Sequence, residues 1–430
     1  MATWEQDAWA SSIESGLPRR DRRSGTFRRY LPDTLLGSPL LLPPDVDHLV
    51  ARAEQAVRNL SGDARDLAGI ARFLLRSEAI ASSRIEGIAP SAHQVALAEL
   101  GAHEDVPDVS AQAQLVANNM TALHEARTVL VAAPAVTLEH LLELHAALLP
   151  EEPLHHGVRT VQNWIGGSDH HPLDADFVPP APERVPALLE DLVGYLNSGG
   201  HSPIVHAGLA HAQFETIHPF TDGNGRVGRA LIHTVLTRRG LATEAVLPVS
   251  LILSTLRHDY IDGLTAYRHS DPVGSAGFHT AHAAWLHVFA SAILTATEQA
   301  GRLATDLADL RADWEDRLNL ARVSHGKVRN VRSDSATALI VRDLPATPVL
   351  TSATVQRIHG VSHVAAGRAL AELVAATILH PHERRGVRYY RARDVLDLVT
   401  VTERRLASTK FDTRTSRPIR PVPARPHRRI

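Results

Sequence analysis

One segment near the middle of the chain combines residue types that could act on a nucleotide phosphate. It spans residues 218–229 and reads HPFTDGNGRVGR. A glycine-rich loop that leads into a helix presents backbone N–H groups, which bind anions. Gly223 and Gly225 have no Cβ, so the backbone there can approach a phosphate closely and adopt positive φ angles. The segment therefore predicts an anion-binding loop at the start of a helix.

The polar side chains of the same segment supply the other groups that phosphate chemistry needs. Arg226 and Arg229 lie three residues apart, on one face of a helix, and each can bind a phosphate with its guanidinium fork. Asn224 can donate an amide hydrogen bond to a phosphate oxygen. Asp222 suits Mg²⁺, which usually takes one carboxylate together with substrate phosphates. His218 can act as a base near neutral pH, so the segment could activate a hydroxyl against a nucleotide phosphate.

The composition of the 430-residue chain excludes several other classes of protein. It contains no cysteine, which excludes disulfides, cysteine-ligated metals and a thiol nucleophile. A formal net charge of −2 excludes a globally basic nucleic-acid binder. No signal peptide or membrane-spanning stretch is visible, so we expect a cytoplasmic protein that does not contact a membrane. The many histidines lack the HExxH spacing of a metal site, and we expect most to be partly buried or surface histidines.

Apolar residues recur at helical spacing through most of the chain from Pro44 onward, which predicts a mainly α fold. A second helix is predicted to begin at Asp63 and run toward Gly87. The arginine-, proline- and serine-rich residues 1–45 predict an extended arm lying on a folded body. Further helices are predicted near 91–100, 110–132, 137–148, 183–197, 203–217, 225–239, 257–267 and 278–310.

Two parts of the chain depart from this helical pattern. Residues 156–180 contain the β-prone stretch Val158–Ile165 and then Gly166-Gly167, which predict a short hairpin or flap. After about residue 345 the pattern predicts a helix, a turn at Gly360, a second helix, a two-stranded wing and a closing helix. This order is typical of a winged helix-turn-helix.

The segment over 218–229 resembles, without gaps, the HPFx[D/E]GNGRxxR signature of the Fic (Fic/DOC) family. Members of this family are helical proteins that mostly transfer AMP from ATP to Ser, Thr or Tyr hydroxyls of other proteins. A kinase-like branch carries Lys near the position of Gly225, so the glycine favours nucleotidyl transfer. The resemblance covers about residues 30–300.

The resemblance implies a Fic helical core with a small β-hairpin flap and an N-terminal helical cap, to which the C-terminal residue pattern appends a winged helix-turn-helix. The expected division of the chain is an N-terminal arm and helical cap with an inhibitory motif over 1–100, the catalytic core over 101–300, a linking helix over 301–345, a winged-helix domain over 346–406 and a basic disordered tail over 407–430.

The resemblance also implies a role for each residue of the signature. His218 would deprotonate the target hydroxyl, and Phe220 would anchor the loop in the core. Asp222 would hold Mg²⁺ between the α- and β-phosphates of ATP. Arg226 would bind the β-phosphate and Arg229 the γ-phosphate. The remaining nucleotide contacts would come from Gly223, Asn224, Gly225, Val227 and Gly228.

Two regions outside the signature resemble further parts of the family's site. The stretch over 157–168 resembles a hairpin that docks the target's backbone by strand addition, with a purely connective hairpin as the alternative. Tyr260 falls where members often place an aromatic beside the adenine, although Asp259 replaces a second frequent tyrosine and a core tyrosine is the alternative. The flap residues expected near the nucleotide are Ile165, Gly166, Gly167 and Ser168.

An upstream motif over 82–87 resembles the inhibitory pattern [S/T]xxxE[G/N] of autoinhibited members. Ser82, Glu86 and Gly87 occupy the specified positions. The resemblance implies that Glu86 pairs with Arg229 and takes the place of the γ-phosphate. The alternative is a surface glutamate before a helix-terminating glycine.

We interpret the chain as a Mg²⁺-dependent protein adenylyltransferase that Glu86 inhibits in cis. A nucleotide-sensing transcriptional regulator is a second hypothesis, and an enzyme with another nucleotide donor, or one that removes AMP, is a third. The expected partners are a target protein with a hydroxyl side chain and, through the wing, DNA phosphates; a homodimer also stays open. The wing arginines are Arg384, Arg385, Arg388, Arg391 and Arg393.

Overall fold

The computed structural model of the chain describes residues 2–12, 15–62, 69–244, 246–326 and 331–407. Contacts divide the chain into two compact units. The first comprises Met1–Arg58, Thr121–Thr243 and Arg257–Leu294, and the second comprises Asn59–Met120, Glu244–Leu256 and Thr295–Ile430. This division does not follow the predicted boundary between residues 100 and 101. The predicted helix start at Asp63 and the tail beyond residue 407 lie outside the described residues.

The described residues are mainly helical, which confirms the predicted fold class. The helices are α1 (Pro44–Gly62), α2 (Ala71–Ile85), α3 (Ala92–Gly101), α4 (Ala111–Ala132), α5 (Leu138–Leu148), α6 (Val185–Leu196), α7 (Pro203–Ile217), α8 (Asn224–Arg238), α9 (Val249–Thr255), α10 (Arg257–Tyr267), α11 (Ala276–Ser324), α12 (Ala336–Asp343), α13 (Ser352–His359), α14 (His363–Ala375) and α15 (Arg393–Ala407). Among the described helices, none is long and apolar enough to cross a membrane.

Helix α7 is the centre of the first unit. Its residues from Ile204 to Ile217 are all buried, because apolar residues lie on every face of the helix and must be covered all round. It packs against α6 and α8. Gly208 allows close contact with α11, since a Cβ there would lie 2.9 Å from carbons of Leu286 and Phe289. Pro203 starts α7, and the signature loop begins directly after its last residue.

The N-terminal arm of the first unit forms a hairpin, where the sequence predicts an extended arm. Strand β1 (Thr3–Trp9) pairs antiparallel with β2 (Gly25–Leu31). Arg29 of β2 binds Glu5 and Asp7 of β1 at 3.0 and 2.6 Å. The expectation was wrong because the arginines and prolines suggested a loop, whereas cross-strand partners about twenty residues apart hold the pair.

The flap over 156–180 is held by two isolated backbone bridges, and its residues 158–164 form no regular strand. The N–H of Ile165 donates to the carbonyl of Phe177 at 2.9 Å. The chain then turns through Gly166 and Gly167, with φ angles of 73° and 74°. The N–H of Tyr30 in β2 donates to Val178 at 3.0 Å, so the N-terminal hairpin extends this small layer.

The second unit contains the C-terminal elements. Helix α13, a turn at Gly360 with φ 64°, and α14 precede the strands β4 (His380–Arg384) and β5 (Val387–Arg391) and helix α15. Strand β3 (Val349–Leu350) pairs with β5 to complete a three-stranded sheet. The predicted linking helix over 301–345 is instead the end of α11 and a separate helix α12, because nothing between Ala276 and Ser324 interrupts the helical pattern.

Candidate active site

His218 lies immediately after α7, at the point where the chain leaves the helix. Its backbone is left-handed, with φ 50° and ψ 59°, and its N–H donates to Phe214 at 2.9 Å. A residue with a Cβ rarely adopts this conformation, and it persists only where the surrounding structure imposes it. The conformation ends α7 abruptly and starts the signature loop with the imidazole at its entrance.

The surroundings of His218 keep its imidazole neutral. Burial lowers its pKa to about 3, and the positive charges of Arg159 and Arg268 act in the same direction. The backbone of Glu215 and the carboxylate of Asp222 oppose this shift with smaller effects. A neutral imidazole at neutral pH can accept a proton, which is what a general base requires.

The side chain of Asn224 closes the signature loop on itself. Its amide Nδ2 donates to the carbonyl of Phe220 at 2.8 Å, and its Oδ1 accepts from the N–H of Phe220 at 2.8 Å. Only 3% of Asn224 is exposed. An amide Nδ2 carries two hydrogens, and the bond to Phe220 uses one of them, so the contact of this amide with a phosphate oxygen stays a prediction. Phe220 itself is fully buried, as the resemblance implies.

The glycines of the signature serve different purposes. Gly223 has φ 76°, and a Cβ there would lie 2.9 Å from Leu148, so only glycine fits. Gly225 lies in the first turn of α8 in helical conformation, and the expected positive φ at this position is wrong. A Cβ on Gly228 would lie 2.7 Å from the Glu215 carboxylate. Gly228 and the buried Val227 therefore serve packing in this structure.

Asp222 and Arg226 face each other across the first turn of α8. Their side chains form an ion pair at 3.1 Å, with the Asp222 side chain 55% exposed and that of Arg226 1% exposed. The described residues contain no group of three or more candidate metal ligands. Mg²⁺ can be held by a single exposed carboxylate when nucleotide phosphates complete the coordination of the ion. Asp222 is such a carboxylate.

Arg229 and Tyr260 lie in a buried polar cluster beneath α8. Arg229 is buried and hydrogen-bonds Tyr260, and the charge of Glu215 also acts on that phenol. The Tyr260 hydroxyl lies 2.9 Å from Nε2 of His211, and burial raises its pKa. This placement favours the alternative of a core tyrosine. The contact of Tyr260 with an adenine stays a prediction, and so does the contact of Arg229 with a γ-phosphate.

His145 supports the signature loop, a role that the sequence analysis missed. It is fully buried on α5, and its Nε2 lies 2.9 Å from the backbone carbonyl of Asp222. Its ring stacks on Phe220 with the centroids 3.9 Å apart. His145 lies four residues after Leu141 and three before Leu148, both buried, which places it on the inner face of α5, and that helical periodicity was the only available indication.

The flap residues expected near the nucleotide lie in a tight turn. Ile165 is bridged to Phe177, and a Cβ on Gly167 would lie 2.5 Å from the carbonyl oxygen of Asp174. The carbonyl of Ser168 accepts from the indole of Trp164 at 2.7 Å. The ring of Trp164 packs edge-on against Trp9 of β1, so the N-terminal hairpin supports the flap. The structure leaves the nucleotide contacts of this turn as predictions.

The inhibitory motif lies at the end of α2, in the second unit. Ser82 is buried, Glu86 is exposed just after the last helical residue, and Gly87 follows with φ 84°. Asn119 fixes this part of the helix, since its amide donates to Ala79 at 3.1 Å and to Ser83 at 3.2 Å. Arg229 belongs to the first unit, so its pairing with Glu86 stays a prediction.

The region that contains the signature loop matches a known protein family. Residues 135–236 match the model of the Fic/DOC family, and residues 48–128 match that of the Fic/DOC family N-terminal region. A crystal structure of a Fic family protein from Desulfovibrio desulfuricans G20 is similar with a TM-score of 0.51 and 22% identity, covering 83% of this chain and 98% of that chain. That similarity supports the fold alone.

Two curated relatives are more similar in sequence over the signature region. The protein adenylyltransferase Fic of Culex quinquefasciatus is 33% identical over 141 residues, which cover 32% of this chain and 25% of that protein. The protein adenylyltransferase Fic of Nematostella vectensis is 34% identical over 149 residues, which cover 34% of this chain and 31% of that protein. The chain thus matches about a quarter to a third of these relatives' length.

The helical core, the loop between α7 and α8 and the two matching family models define the class of this protein. Residues 135–236 are a Fic domain and residues 48–128 a Fic N-terminal region, which confirms the resemblance found in the signature segment.

Proposed function

We propose that the chain is a protein adenylyltransferase, which transfers AMP from ATP to a Ser, Thr or Tyr hydroxyl of a target protein. One observation carries this proposal. The neutral imidazole of His218 precedes a loop that turns at Gly223, and this turn exposes the N-terminus of α8. That end of a helix binds anions, and Arg226 and Asp222 flank it. The names of the curated relatives support the same activity.

The proposed transfer is an in-line displacement at the α-phosphorus. His218 takes the proton of the target hydroxyl, whose oxygen forms a bond to the α-phosphorus while the bond to the leaving pyrophosphate breaks. The N-terminus of α8 and Arg226 would neutralise the phosphate charge, once the nucleotide competes for the guanidinium that now binds Asp222. Mg²⁺, held by Asp222 and the nucleotide phosphates, would supply further charge neutralisation.

The position of the transferred label tests this proposal. The Glu86→Gly variant is incubated with a host lysate and with ATP labelled on either the α- or the γ-phosphate. We expect protein bands labelled from the α-phosphate alone, because AMP rather than phosphate is transferred. Label from the γ-phosphate would assign the chain a kinase activity instead. Repeating the assay with each α-labelled nucleotide identifies the donor base, and release of AMP from a labelled target would indicate the reverse activity.

We also propose that Glu86 inhibits the site in cis, and the same variant tests it. Replacing Glu86 by glycine should raise auto-modification by about 10-fold or more over the wild-type chain, because a carboxylate at the γ-phosphate position repels the nucleotide. Glu86 is exposed beside the glycine that ends α2, so the substitution should not disturb the core. Glu125→Gly on α4 serves as a charge-matched control. Equal labelling of wild type and Glu86→Gly would remove the inhibitory role.

The C-terminal helices and strands favour a second candidate function, DNA binding by a winged helix. Ser362, the N-cap of α14, and His363, Gly367 and Arg368 on its outer face are all exposed, so this face is open to a DNA groove. Two of the wing arginines already have a partner, since Asp108 binds Arg384 at 3.0 Å and Arg385 at 2.8 Å. Phosphate contacts by those two would require displacement of Asp108.

Mobility shift of the full chain with duplex DNA tests this second function. We expect binding that weakens as salt increases, and Arg368→Ala should lower the salt dependence by about one counterion. Arg342→Ala, an exposed arginine of α12 outside the C-terminal sheet and helices, is the control and should leave binding unchanged. A full chain that shifts no DNA at low salt excludes this function.

A further inference from the structure

Side chains of the flap hold the backbone at the entrance of the signature loop. Arg159 is 3% exposed. Its Nε donates to the carbonyl of His218 at 2.8 Å, and its Nη2 reaches the carbonyl of Ile217 at 3.4 Å. Its own backbone N–H donates to the carbonyl of Pro219 at 2.9 Å. One residue therefore binds three successive carbonyls around His218.

The same guanidinium also binds both limbs of the flap. Its Nη1 donates to the carbonyl of Val161 at 3.1 Å, on the limb that leads to the glycine turn. Its Nη2 donates to the carbonyl of Pro180 at 2.6 Å, on the limb that returns. The amide of Gln162 adds a bond to Pro179 at 3.0 Å. Arg159 thus joins the signature loop to the flap on both sides.

Asn163, four residues further along the flap, reinforces this connection. Its Nδ2 donates to the carbonyl of Phe220 at 2.9 Å and lies 3.3 Å from the carbonyl of His218. Phe220 is also the residue that the Asn224 side chain binds. The flap, His218 and the closing bond of the loop therefore form one continuous hydrogen-bonded unit.

A buried guanidinium is a costly way to satisfy backbone carbonyls. Removing a charge from water costs free energy, and neutral donors could make the same bonds. Burial lowers the pKa of Arg159 to about 10, with the charge of Glu183 acting in the opposite direction. Unlike neutral donors, the guanidinium of Arg159 is a rigid planar fork, and it fixes several carbonyls in one geometry.

We propose that Arg159 is a positioning residue that sets the orientation of His218 relative to the flap. This inference rests on the proposed adenylyl transfer, in which the flap presents the target hydroxyl to His218. Because transfer requires the base and the hydroxyl in contact, a small shift between the flap and His218 slows the reaction. The nucleotide-binding turn of α8 lies beyond the residues that Arg159 holds, so ATP affinity should change little.

Steady-state kinetics in the Glu86→Gly chain test this proposal. Arg159→Met should lower kcat for transfer to protein by about 10²-fold while the KM for ATP changes by less than about two-fold. Arg159→Lys keeps the charge and part of the donor set and should recover part of the lost rate. Arg184→Met removes an exposed arginine near the flap exit and is the matched control. Unchanged kcat in Arg159→Met, or a parallel loss of ATP affinity, overturns the proposal.

A second variant covers the case in which Arg159→Met fails to fold. Asn163→Ala removes the bonds to His218 and Phe220 without exposing a buried charge, and we expect a fall in kcat of about 10-fold. Hydrogen exchange of the amides of Ile217, His218 and Phe220 gives a readout that does not depend on transfer. Faster exchange there in Asn163→Ala supports the hydrogen-bonded unit even if the parent chain transfers no AMP, whereas unchanged exchange together with unchanged kcat overturns it.

Discussion

Replacing His218 by alanine should lower the rate of AMP transfer by about 10²–10⁴-fold, the usual contribution of a positioned general base. The imidazole is held neutral by burial and by two arginines, so it can accept a proton at physiological pH, although its lowered pKa makes it a weaker base than a free imidazole. Its left-handed backbone is imposed by the loop, and alanine keeps the Cβ that this backbone already accommodates. ATP binding should therefore be largely preserved.

The measurement compares α-labelled transfer with ATP binding by calorimetry, both in the Glu86→Gly chain. The control is His124→Ala, an exposed histidine on α4, which should leave both quantities unchanged. An unchanged transfer rate in His218→Ala would remove this residue from its proposed role. Loss of ATP binding together with transfer would indicate that the imidazole acts on the nucleotide rather than on the target.

The second large effect is a loss of stability when the pH falls from 7 to 5. Burial keeps several histidines of the first unit neutral, and three of them are considered for this effect: burial lowers the pKa of His206 and His282 to about 4 and that of His211 to about 3. In the unfolded chain each titrates near 6.5. Between these values the unfolded state binds more protons than the folded state, so acidification favours unfolding.

When the pH falls from 7 to 5, each of these histidines should lower the free energy of unfolding by roughly 2 kcal/mol, and the three together should lower it by roughly 6 kcal/mol. That is comparable to the whole stability of many domains. Chemical denaturation at a series of pH values measures the effect. His282→Gln, which can still bond the Phe278 carbonyl that His282 now contacts at 2.8 Å, should recover roughly 2 kcal/mol of the loss. A denaturation midpoint that stays constant from pH 7 to pH 5 would contradict this prediction.

The helical part of the fold followed from the sequence because helices depend on residues three and four positions apart. The predicted helices over 203–217 and 257–267 agree with the observed ones, and most other bounds differ by one or two residues. The N-terminal hairpin was missed because β1 and β2 are held by partners far apart in the chain, such as Arg29 and Glu5. Composition near the N-terminus gave no indication of that pairing.

The sequence by itself determined the chemistry of the candidate site, because the signature residues are contiguous and their types decide what they can bind or transfer. Only the tertiary structure decided how they are held. Asn224 closes the loop on Phe220, His145 supports the carbonyl of Asp222, and Arg159 fixes His218 to the flap. These bonds join residues on separate elements, and their existence depends on how the elements pack, which local residue patterns do not encode.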